Sequence, residues 1–529
     1  MTFCHRIDTS NGFKVTETDF ILLLSDGKGL FCSPLLNRSI IMTKLEAYFN
    51  QFRIDIVGIN QHFRSPYGQK KIIYADWIAS GRLYTPIENQ ISDVFGPFAG
   101  NTHSETSETG ALMTHAYHQS QQIIKAHVNA GPNDIIITAG SGMTAVINKF
   151  QRMLGLKYCG KVNHTGCLAK RDRPVVFITH MEHHSNHTSW YETNADVVIV
   201  DPDKNLQVDP ENLRKKLIEY KDRPFKIGSF TACSNVTGIH TPYYELAQIM
   251  HEHGGVVFID FAASAPYDQM DMHPSDPMQK LDAVMFSPHK FLGGPGSSGV
   301  LVFDQSMYHN SVPDQPGGGT VDWTNPWGQY KYVDDIEVRE DGGTPGFLQT
   351  IRTALCIRLK EKMGIENIHR RENELLKLAF EGLDSIPEVI IMDTMHRNRL
   401  AIISFFVAKI HYNLLVKLLN DLHGIQVRGG CACAGTYGHI LLEVSHELSD
   451  EITRKISKGD LSLKPGWVRW SLHPTTTDEE VDLFIIALRD IVENYEKYAT
   501  DYTYFPKENI FRHRNENQYS EIVKEWFVL

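Results

Sequence analysis

The chain alternates short apolar runs with helical patterns, and this alternation restricts the fold more than any other feature. Runs typical of buried strands lie at residues 134–138, 174–179, 226–230, 256–259 and 283–286. Helical patterns lie between them, at residues 143–154, 210–219 and 242–253. Alternating strands and helices predict an α/β protein with a mainly parallel sheet, and such sheets bind ligands beyond the carboxyl ends of their strands. We therefore look for functional residues directly after the strands.

Lys290 follows the apolar run 283–286, between His289 and a glycine-rich turn. A lysine at the end of a buried strand loses hydration, which lowers the pKa of its ammonium group. The neutral amine can then form a Schiff base with an aldehyde. A surface lysine before a glycine turn has the same local sequence, so this motif alone leaves both interpretations open.

A strand, a small-residue turn and a helix follow one another at residues 134–154. The free N–H groups and the positive end of such a helix attract an anion. Gly142 allows close approach to the backbone, and the Thr144 hydroxyl adds a donor. The sequence is compatible with a phosphate cradle, although turns of this kind are common in α/β proteins.

Two further strand ends carry polar residues. Asp260 ends the run 256–259, and a buried carboxylate needs a cation, either an arginine or a protonated ring nitrogen. The alternative is an aspartate that caps the next turn. Four histidines between residues 180 and 187 follow another strand and lack the spacing of zinc proteases, so we favour a ring stacked on a flat cofactor over a zinc site.

These pieces together fit one cofactor. A lysine for a Schiff base, an aspartate for a pyridinium nitrogen, a ring for stacking and a helix N-terminus for a phosphate match pyridoxal 5'-phosphate. The sequence therefore predicts an enzyme that uses this cofactor on an amino acid.

Four motifs resemble those of fold-type I, class V aminotransferase-fold enzymes, on the branch of cysteine desulfurases and molybdenum cofactor sulfurases. They are Gly142-Met143-Thr144 with Asn148, Glu182-His183-His184-Ser185-Asn186, Ser287-Pro288-His289-Lys290, and Val427-Arg428-Gly429-Gly430-Cys431-Ala432-Cys433. The resemblance runs from about residue 74 to residue 493. It implies a large domain with a mainly parallel sheet and a smaller C-terminal α/β domain.

The resemblance also implies residue roles. The cofactor-binding residues would be Gly142, Met143, Thr144, His183, Asn235, Asp260, Ser287, His289, Lys290 and Thr344. Among them, Thr144, Ser287 and His289 would bind the phosphate. His183 would stack on the ring, and Asn235 would lie near the ring hydroxyl. Asp260 would hold the pyridinium proton and Lys290 would carry the cofactor, so His183, Asp260 and Lys290 are expected to be catalytic.

Residues 342–345 resemble a loop that contributes a threonine, here Thr344, to the phosphate site of a neighbouring subunit, which implies a homodimer. One departure concerns the residues after Asp260. Desulfurases often have Gly-Ala-Gln there, whereas this chain has Phe261-Ala262-Ala263. The glutamine that touches the ring hydroxyl is therefore missing, which leaves the reaction subtype open.

The motif at 427–433 bears on the reaction. The planar fork of Arg428 suits a substrate carboxylate held by two hydrogen bonds, with a surface salt bridge as the alternative and Arg469 as a second candidate. Cys433 matches the desulfurase cysteine, whose thiolate would attack the sulfur of substrate cysteine and leave alanine and an enzyme persulfide. A sulfur-acceptor protein is then a possible partner.

Other functions remain open at this stage. Cys431 and Cys433 are alternatively small packing residues, and either could be the reactive thiol. An aminotransferase, epimerase or other lyase would use Lys290 and Arg428 without a thiol nucleophile. A non-catalytic metal-binding or scaffold protein is a third possibility.

Bulk features exclude several classes. The 529 residues carry a formal charge of -11 without a long lysine or arginine block, which argues against nucleic acid as a partner. No apolar stretch is long enough for a membrane span or a signal peptide. Eight cysteines are too sparse for a disulfide scaffold, so we expect a cytoplasmic protein with free thiols.

The predicted organisation has four parts. They are an N-terminal extension (1–65), a large cofactor-binding domain (66–347), a small C-terminal domain (348–498) and a C-terminal tail (499–529). Cys159, His164 and Cys167 lie in a predicted inserted loop at metal-like spacings, but a fourth ligand is not evident nearby, so we expect no metal site.

Overall fold

A seven-stranded sheet lies at the centre of this computed structural model, which describes residues 43–102, 104–157, 170–516 and 519–528. The strands are β1 His62–Ser65, β2 Gly68–Lys71, β3 Ile73–Tyr74, β4 Asp134–Ala139, β5 Val175–Thr179, β6 Asp196–Val200, β7 Lys226–Thr231, β8 Val256–Asp260, β9 Ala283–Phe286, β10 Gly299–Asp304, β11 Val321–Thr324, β12 Tyr330–Tyr332, β13 Val389–Ile391, β14 Ile402–Val407, β15 Ile425–Gln426, β16 Arg428–Gly430, β17 Trp467–Ser471, β18 Tyr502–Phe505 and β19 Ile510–His513. The helices are α1 Lys44–Arg53, α2 Thr85–Asn89, α3 Glu108–His127, α4 Met143–Met153, α5 His184–Tyr191, α6 Pro210–Glu219, α7 Tyr243–Glu252, α8 Ile336–Arg339, α9 Phe347–Met363, α10 Ile365–Asp384, α11 Tyr412–His423, α12 Gly435–Leu441, α13 His446–Ser457, α14 Asp478–Ala499 and α15 Tyr519–Glu525.

The central sheet is mainly parallel, as predicted. Its strand order is β4-β10-β9-β8-β7-β5-β6. β10 runs antiparallel to both of its neighbours, β4 and β9, and the other pairs are parallel. The carboxyl ends of β5, β7, β8 and β9 therefore meet at one edge.

Both faces of this sheet are covered. Along β5, Val175 and Phe177 belong to one apolar core, whereas Val176 and Ile178 belong to another on the opposite face. Successive side chains of a strand point to opposite faces, so a strand buried on both sides needs a continuous apolar run. This explains why the strands were visible in the sequence as unbroken runs.

A smaller antiparallel sheet follows, in the order β13-β14-β17-β16. Its core includes side chains of α10, α11 and α14, and the rings of Trp470 and Phe484 stack with centroids 3.7 Å apart. The sequence also predicts a capping box from the spacing of Thr477 and Glu480, and this box is present at the start of α14. The sequence pattern predicts a helix that runs to Tyr495, whereas α14 continues to Ala499.

One predicted strand is divided in the structure. The sequence predicts a single strand over residues 425–428, but Ile425–Gln426 pairs in parallel with β3, whereas Arg428–Gly430 pairs with β17. The chain changes partner at Val427 because β3 provides one backbone edge and β17 another. This change brings the residues after β3 next to the arginine-containing strands.

The predicted domain boundaries stay predictions, although sheet membership follows them in outline. Residues 134–304 supply the central sheet and residues 389–471 the smaller one. α1, within the predicted extension, connects to the C-terminal region through an ion pair of Arg53 with Glu480, 2.6 Å apart. None of the helices in the described part of the chain has the length and apolar character needed to cross a membrane.

Candidate active site

The structure brings most of the predicted site residues to one sheet edge. His183 lies beyond β5, Asn235 beyond β7, Asp260 ends β8 and Lys290 lies beyond β9 in a short 3-10 turn. The charge of Lys290 influences both Asp260 and His183. These three side chains therefore share one environment.

Burial dominates the electrostatics of this environment. Asp260 is 3% exposed, and desolvation raises its pKa to about 6, opposed by a hydrogen bond from the Ala262 N–H (2.8 Å) and by Lys290. Desolvation lowers the pKa of Lys290 to about 8, while Asp260 favours its charged form. An appreciable fraction of Lys290 is therefore the neutral amine near neutral pH. It lies beside the Asp260 carboxylate, which a cation would stabilise.

His183 caps the N-terminus of α5. Its Nδ1 accepts a hydrogen bond from the Ser185 N–H (3.1 Å), and burial together with the charge of Lys290 lowers its pKa to about 3. The ring is therefore neutral at physiological pH. A neutral, half-buried imidazole suits stacking against a flat aromatic ligand.

A polar cradle, formed by Gly142, Met143, Thr144, Ser287 and His289, joins the start of α4 to the turn after β9. The Met143 N–H donates to Ser287 Oγ (2.9 Å), and His289 Nδ1 donates to the Ser141 carbonyl (2.8 Å). A Cβ on Gly142 would lie 3.0 Å from both Ser287 Oγ and the His289 ring. A side chain here would crowd both groups, so glycine keeps the approach to the helix N-terminus open.

Asn235 carries an unsatisfied acceptor. Its Nδ2 donates to the Ala432 carbonyl (2.7 Å), but its buried Oδ1 has no hydrogen-bond partner among the described residues. Buried polar atoms are usually paired, and a ligand group at this strand edge would supply the partner that this one lacks. A ring hydroxyl would satisfy this atom, and the residues present thus fit pyridoxal phosphate.

Thr344 stands apart from the cradle. It is exposed, and it is not among the residues that line an open depression of about 690 Å³ beside Ser141 and His289. Gly346, two residues further along, does line this depression. Within one chain the structure does not bring Thr344 to the cradle.

The cysteine loop, defined here as residues 431–434, connects β16 to α12. Cys433 is exposed and Cys431 is partly buried. Ala432 and Cys433 have φ values of 48° and 58°, in the left-handed region that non-glycine residues seldom adopt. The Cys433 carbonyl accepts a hydrogen bond from the His184 N–H (2.8 Å), so this loop lies against the start of α5.

Asp76 joins the two candidate arginines and was not singled out from the sequence. Arg428 and Arg469 lie directly opposite each other on β16 and β17, an unfavourable pairing of like charges. Asp76 accepts from Arg428 Nε (3.0 Å) and from Arg469 Nη2 (2.8 Å). In the sequence, Asp76 is a carboxylate that directly follows an apolar run, as Asp260 does.

The two arginines differ in exposure. The Arg428 side chain is 49% exposed and that of Arg469 only 4%. Arg428 uses its Nε for Asp76, which directs the terminal nitrogens elsewhere. Arg469 also donates to the Asn235 carbonyl (3.2 Å), and its buried Nε has no partner in the described part of the chain. An anionic ligand group here would find donors on both side chains.

Metal binding finds no support at this edge. Within the residues that the structure describes, no three His, Cys, Asp or Glu side chains are grouped so as to hold a metal ion. Cys159, His164 and Cys167 lie outside the described residues.

Comparison with known proteins identifies the family. A family model described as aminotransferase class-V matches residues 73–484. The chain therefore belongs to the class-V aminotransferase family, a family of pyridoxal-phosphate-dependent enzymes. The predicted fold and kind of enzyme are confirmed, and a non-catalytic scaffold is set aside.

Individual relatives share one description. The chain is 29% identical over 370 residues to a probable cysteine desulfurase of Staphylococcus epidermidis, covering 69% of this chain and 84% of the relative. A probable cysteine desulfurase of Staphylococcus aureus is 27% identical over the same shares of both chains. The apo structure of a cysteine desulfurase from Thermococcus onnurineus matches 84% of this chain and 98% of its own, with a TM-score of 0.66 at 24% identity, which shows the fold. The predicted likeness to cysteine desulfurases is confirmed.

Replacing Asp76 by Asn should destabilise the protein. Two opposed guanidinium groups would then share no anion, and removing one partner of a buried ion pair costs about 3 kcal/mol. Urea denaturation measures the free energy of unfolding. Asp322→Asn, which removes the exposed partner of Lys331, is the control and should cost no more than about 1 kcal/mol. Equal effects of the two substitutions would show that Asp76 has no such role.

Proposed function

We propose that this protein is a pyridoxal-phosphate-dependent cysteine desulfurase, which converts cysteine to alanine and retains the sulfur as a persulfide on Cys433. The observation that carries the proposal is the position of Cys433. Its exposed thiol belongs to a loop bonded to His184, the neighbour of His183, at the same sheet edge as Lys290. The names of the relatives support this choice.

The residues that would hold the cofactor are those at the sheet edge. Lys290 would bind it covalently, Asp260 would hold the proton of the ring nitrogen, and His183 would stack on the ring. The polar cradle would hold the phosphate, and Asn235 Oδ1 would accept from the ring hydroxyl. When bound, the cofactor supplies an electron-withdrawing ring that makes the α-hydrogen of an amino acid removable.

Lys290 is the proposed base of the reaction. Its amine is partly neutral near physiological pH because burial lowers its pKa to about 8, so it can accept the α-proton and return it. Asp260, itself buried, would compensate the positive charge at the ring nitrogen. Lys290 would thus transfer the proton, and Asp260 would stabilise the charge of the ring.

Arg428 is the proposed anchor of the substrate carboxylate. Asp76 occupies its Nε, which leaves the two terminal nitrogens for a bidentate interaction. Asp76 already orients the Arg428 side chain. This side chain would therefore lose less conformational entropy when the substrate binds.

Cys433 is the proposed nucleophile. Its sulfur would bond to the sulfur of substrate cysteine while the bond from that sulfur to the β-carbon breaks. The β-carbon would then gain a proton, giving alanine, and Cys433 would carry the persulfide.

A homodimer would complete the site. Thr344 is exposed and outside its own cradle, while the depression beside His289 is open. The Thr344 of a second copy would enter that depression and donate to the phosphate.

A sulfur-acceptor protein would take the persulfide sulfur from the exposed Cys433. We retain the cytoplasm as the expected compartment.

The thiol nucleophile separates a desulfurase from an aminotransferase, epimerase or other lyase. Cys433→Ser should reduce alanine formation from cysteine by more than about 100-fold, because the attacking sulfur is lost. Cys431→Ser, the matched control in the same loop, should retain activity within about threefold. Wild-type turnover by Cys433→Ser would favour the enzymes without a thiol nucleophile.

The pKa of Lys290 predicts how cofactor uptake depends on pH. The neutral amine is the reactive form, so the rate of pyridoxal phosphate uptake by the apoenzyme should rise about tenfold per pH unit below the pKa and level off above about 8. Stopped-flow absorbance of the visible band measures the rate. Lys290→Ala should develop no such band, and a pH-independent rate in the wild type would contradict the lowered pKa.

The proposed contribution of Thr344 to the phosphate site of a second subunit predicts both a dimer and weaker cofactor binding when the hydroxyl is removed. Sedimentation velocity should give twice the mass of one chain, and Thr344→Ala should leave that mass unchanged but raise the Kd for pyridoxal phosphate about tenfold, because one hydrogen bond to a charged group is lost. A monomer that binds the cofactor with full affinity would rule out the shared site.

A further inference from the structure

His184 makes two hydrogen bonds to the backbone at Cys433 and just beyond it. Its backbone N–H donates to the Cys433 carbonyl (2.8 Å), and its side-chain Nε2 accepts from the Gly435 N–H (2.9 Å). His184 has no part in the cofactor site described above, since His183 is the residue proposed to stack on the ring. One residue at the start of α5 thus holds the backbone of Cys433 itself and that of the residue two positions beyond it.

The loop needs such support because its backbone is strained. Ala432 and Cys433 both lie in the left-handed region, with φ values of 48° and 58°. Residues in sparsely populated conformations persist only where surrounding contacts hold them. The Ala432 carbonyl is held by Asn235, and the Cys433 carbonyl and the Gly435 N–H by His184. Release of these contacts would let the loop relax and move the thiol.

The His184 ring is suited to this acceptor role. An Nε2 that accepts from a backbone N–H requires a neutral ring with its proton on Nδ1. Burial, with a smaller contribution from Lys464, lowers the pKa of His184 below its usual value and keeps the ring neutral. His187, one turn further along α5, contacts this part of the chain through a longer hydrogen bond of 3.4 Å with Thr436 Oγ1. His184 is therefore the stronger of the two side-chain contacts to this part of the chain.

We propose that His184 is a positioning residue that fixes the Cys433 thiol for sulfur transfer, through its hydrogen bonds to Cys433 and Gly435. This inference rests on the proposed desulfurase function. Because α5 begins directly after the ring-stacking His183, the anchor relates the position of the thiol to that of the cofactor ring. Loss of the side-chain acceptor should lower kcat for cysteine and leave KM nearly unchanged, since no hydrogen bond or ion pair of the described residues joins His184 to Arg428 or Lys290.

The test compares three variants as holoenzymes. His184→Phe keeps a ring of similar size but removes the acceptor, and His184→Gln places an oxygen near the position of Nε2. His253→Phe is the matched control, because His253 also makes one hydrogen bond to a backbone group, the Ile249 carbonyl at 2.9 Å, far from this loop in the fold. The measurements are alanine formation, the visible cofactor band and amide hydrogen exchange of residues 431–436.

His184→Phe should lower kcat about tenfold, change KM less than about twofold and speed exchange at Gly435 about tenfold, because one backbone hydrogen bond is lost. His184→Gln should restore both values to within about threefold, and His253→Phe should resemble the wild type.

Wild-type kcat and exchange in His184→Phe would overturn the proposal, as would equal impairment of His184→Phe and His184→Gln, which would indicate packing instead of the acceptor. If His184→Phe fails to fold, His184→Gln against His184→Asn decides, because the shorter Asn cannot reach Gly435 and should reproduce the loss. If the wild type forms no alanine from cysteine, the proposed reaction is rejected, and unchanged exchange in His184→Phe would then reject the anchor as well.

Discussion

Desolvation of two opposite charges at one sheet edge, the buried Asp260 and the partly buried Lys290, is the constraint on which the site depends. Asp260 pairs in register with Met285 of the neighbouring strand, and Lys290 follows five residues later, so topology alone places the two groups close together. Desolvation pushes each toward its neutral form, and the field of the other opposes that shift. A cationic ring nitrogen beside Asp260 would relieve its desolvation, which explains why a carboxylate is tolerated in an otherwise apolar strand.

The smaller sheet contributes the other half of the site. Its strands β16 and β17 place Arg428 opposite Arg469, and such a pair is unfavourable without an anion between them. Asp76 supplies that anion from the segment after β3, which lies against β15 by parallel pairing. A chain segment near residue 75 therefore orients the arginine proposed to bind the substrate. Arg469 also donates to the carbonyl of Asn235, which follows β7, so the smaller sheet and the central sheet are joined at this edge.

The cysteine loop shows how a strained segment can be kept in place. Its carbonyls are held by Asn235 and His184, residues that follow two different strands of the central sheet. A thiol held in this way has a defined distance from His183, the residue proposed to stack on the cofactor ring, unlike a thiol on an unattached loop. A thiol in a fixed position can attack a substrate sulfur, whereas an aminotransferase or epimerase uses no thiol nucleophile. The geometry therefore favours the desulfurase over these other reactions.

The sequence by itself determined the features that depend on neighbours along the chain. Continuous apolar runs predicted the buried parallel strands, the box at Thr477 and Glu480 predicted the start of α14, and residues after strand ends predicted the edge where Lys290, Asp260, His183 and Asn235 meet. Only the tertiary structure decided that residues 425–428 divide between two sheets, that Asp76 joins Arg428 and Arg469 across 352 and 393 residues of sequence, and that His184 holds the cysteine loop. The physical reason is that a local sequence pattern indicates burial and backbone conformation. The partner of a buried charge or of a free N–H depends on which distant segments lie next to it once the sheets have packed.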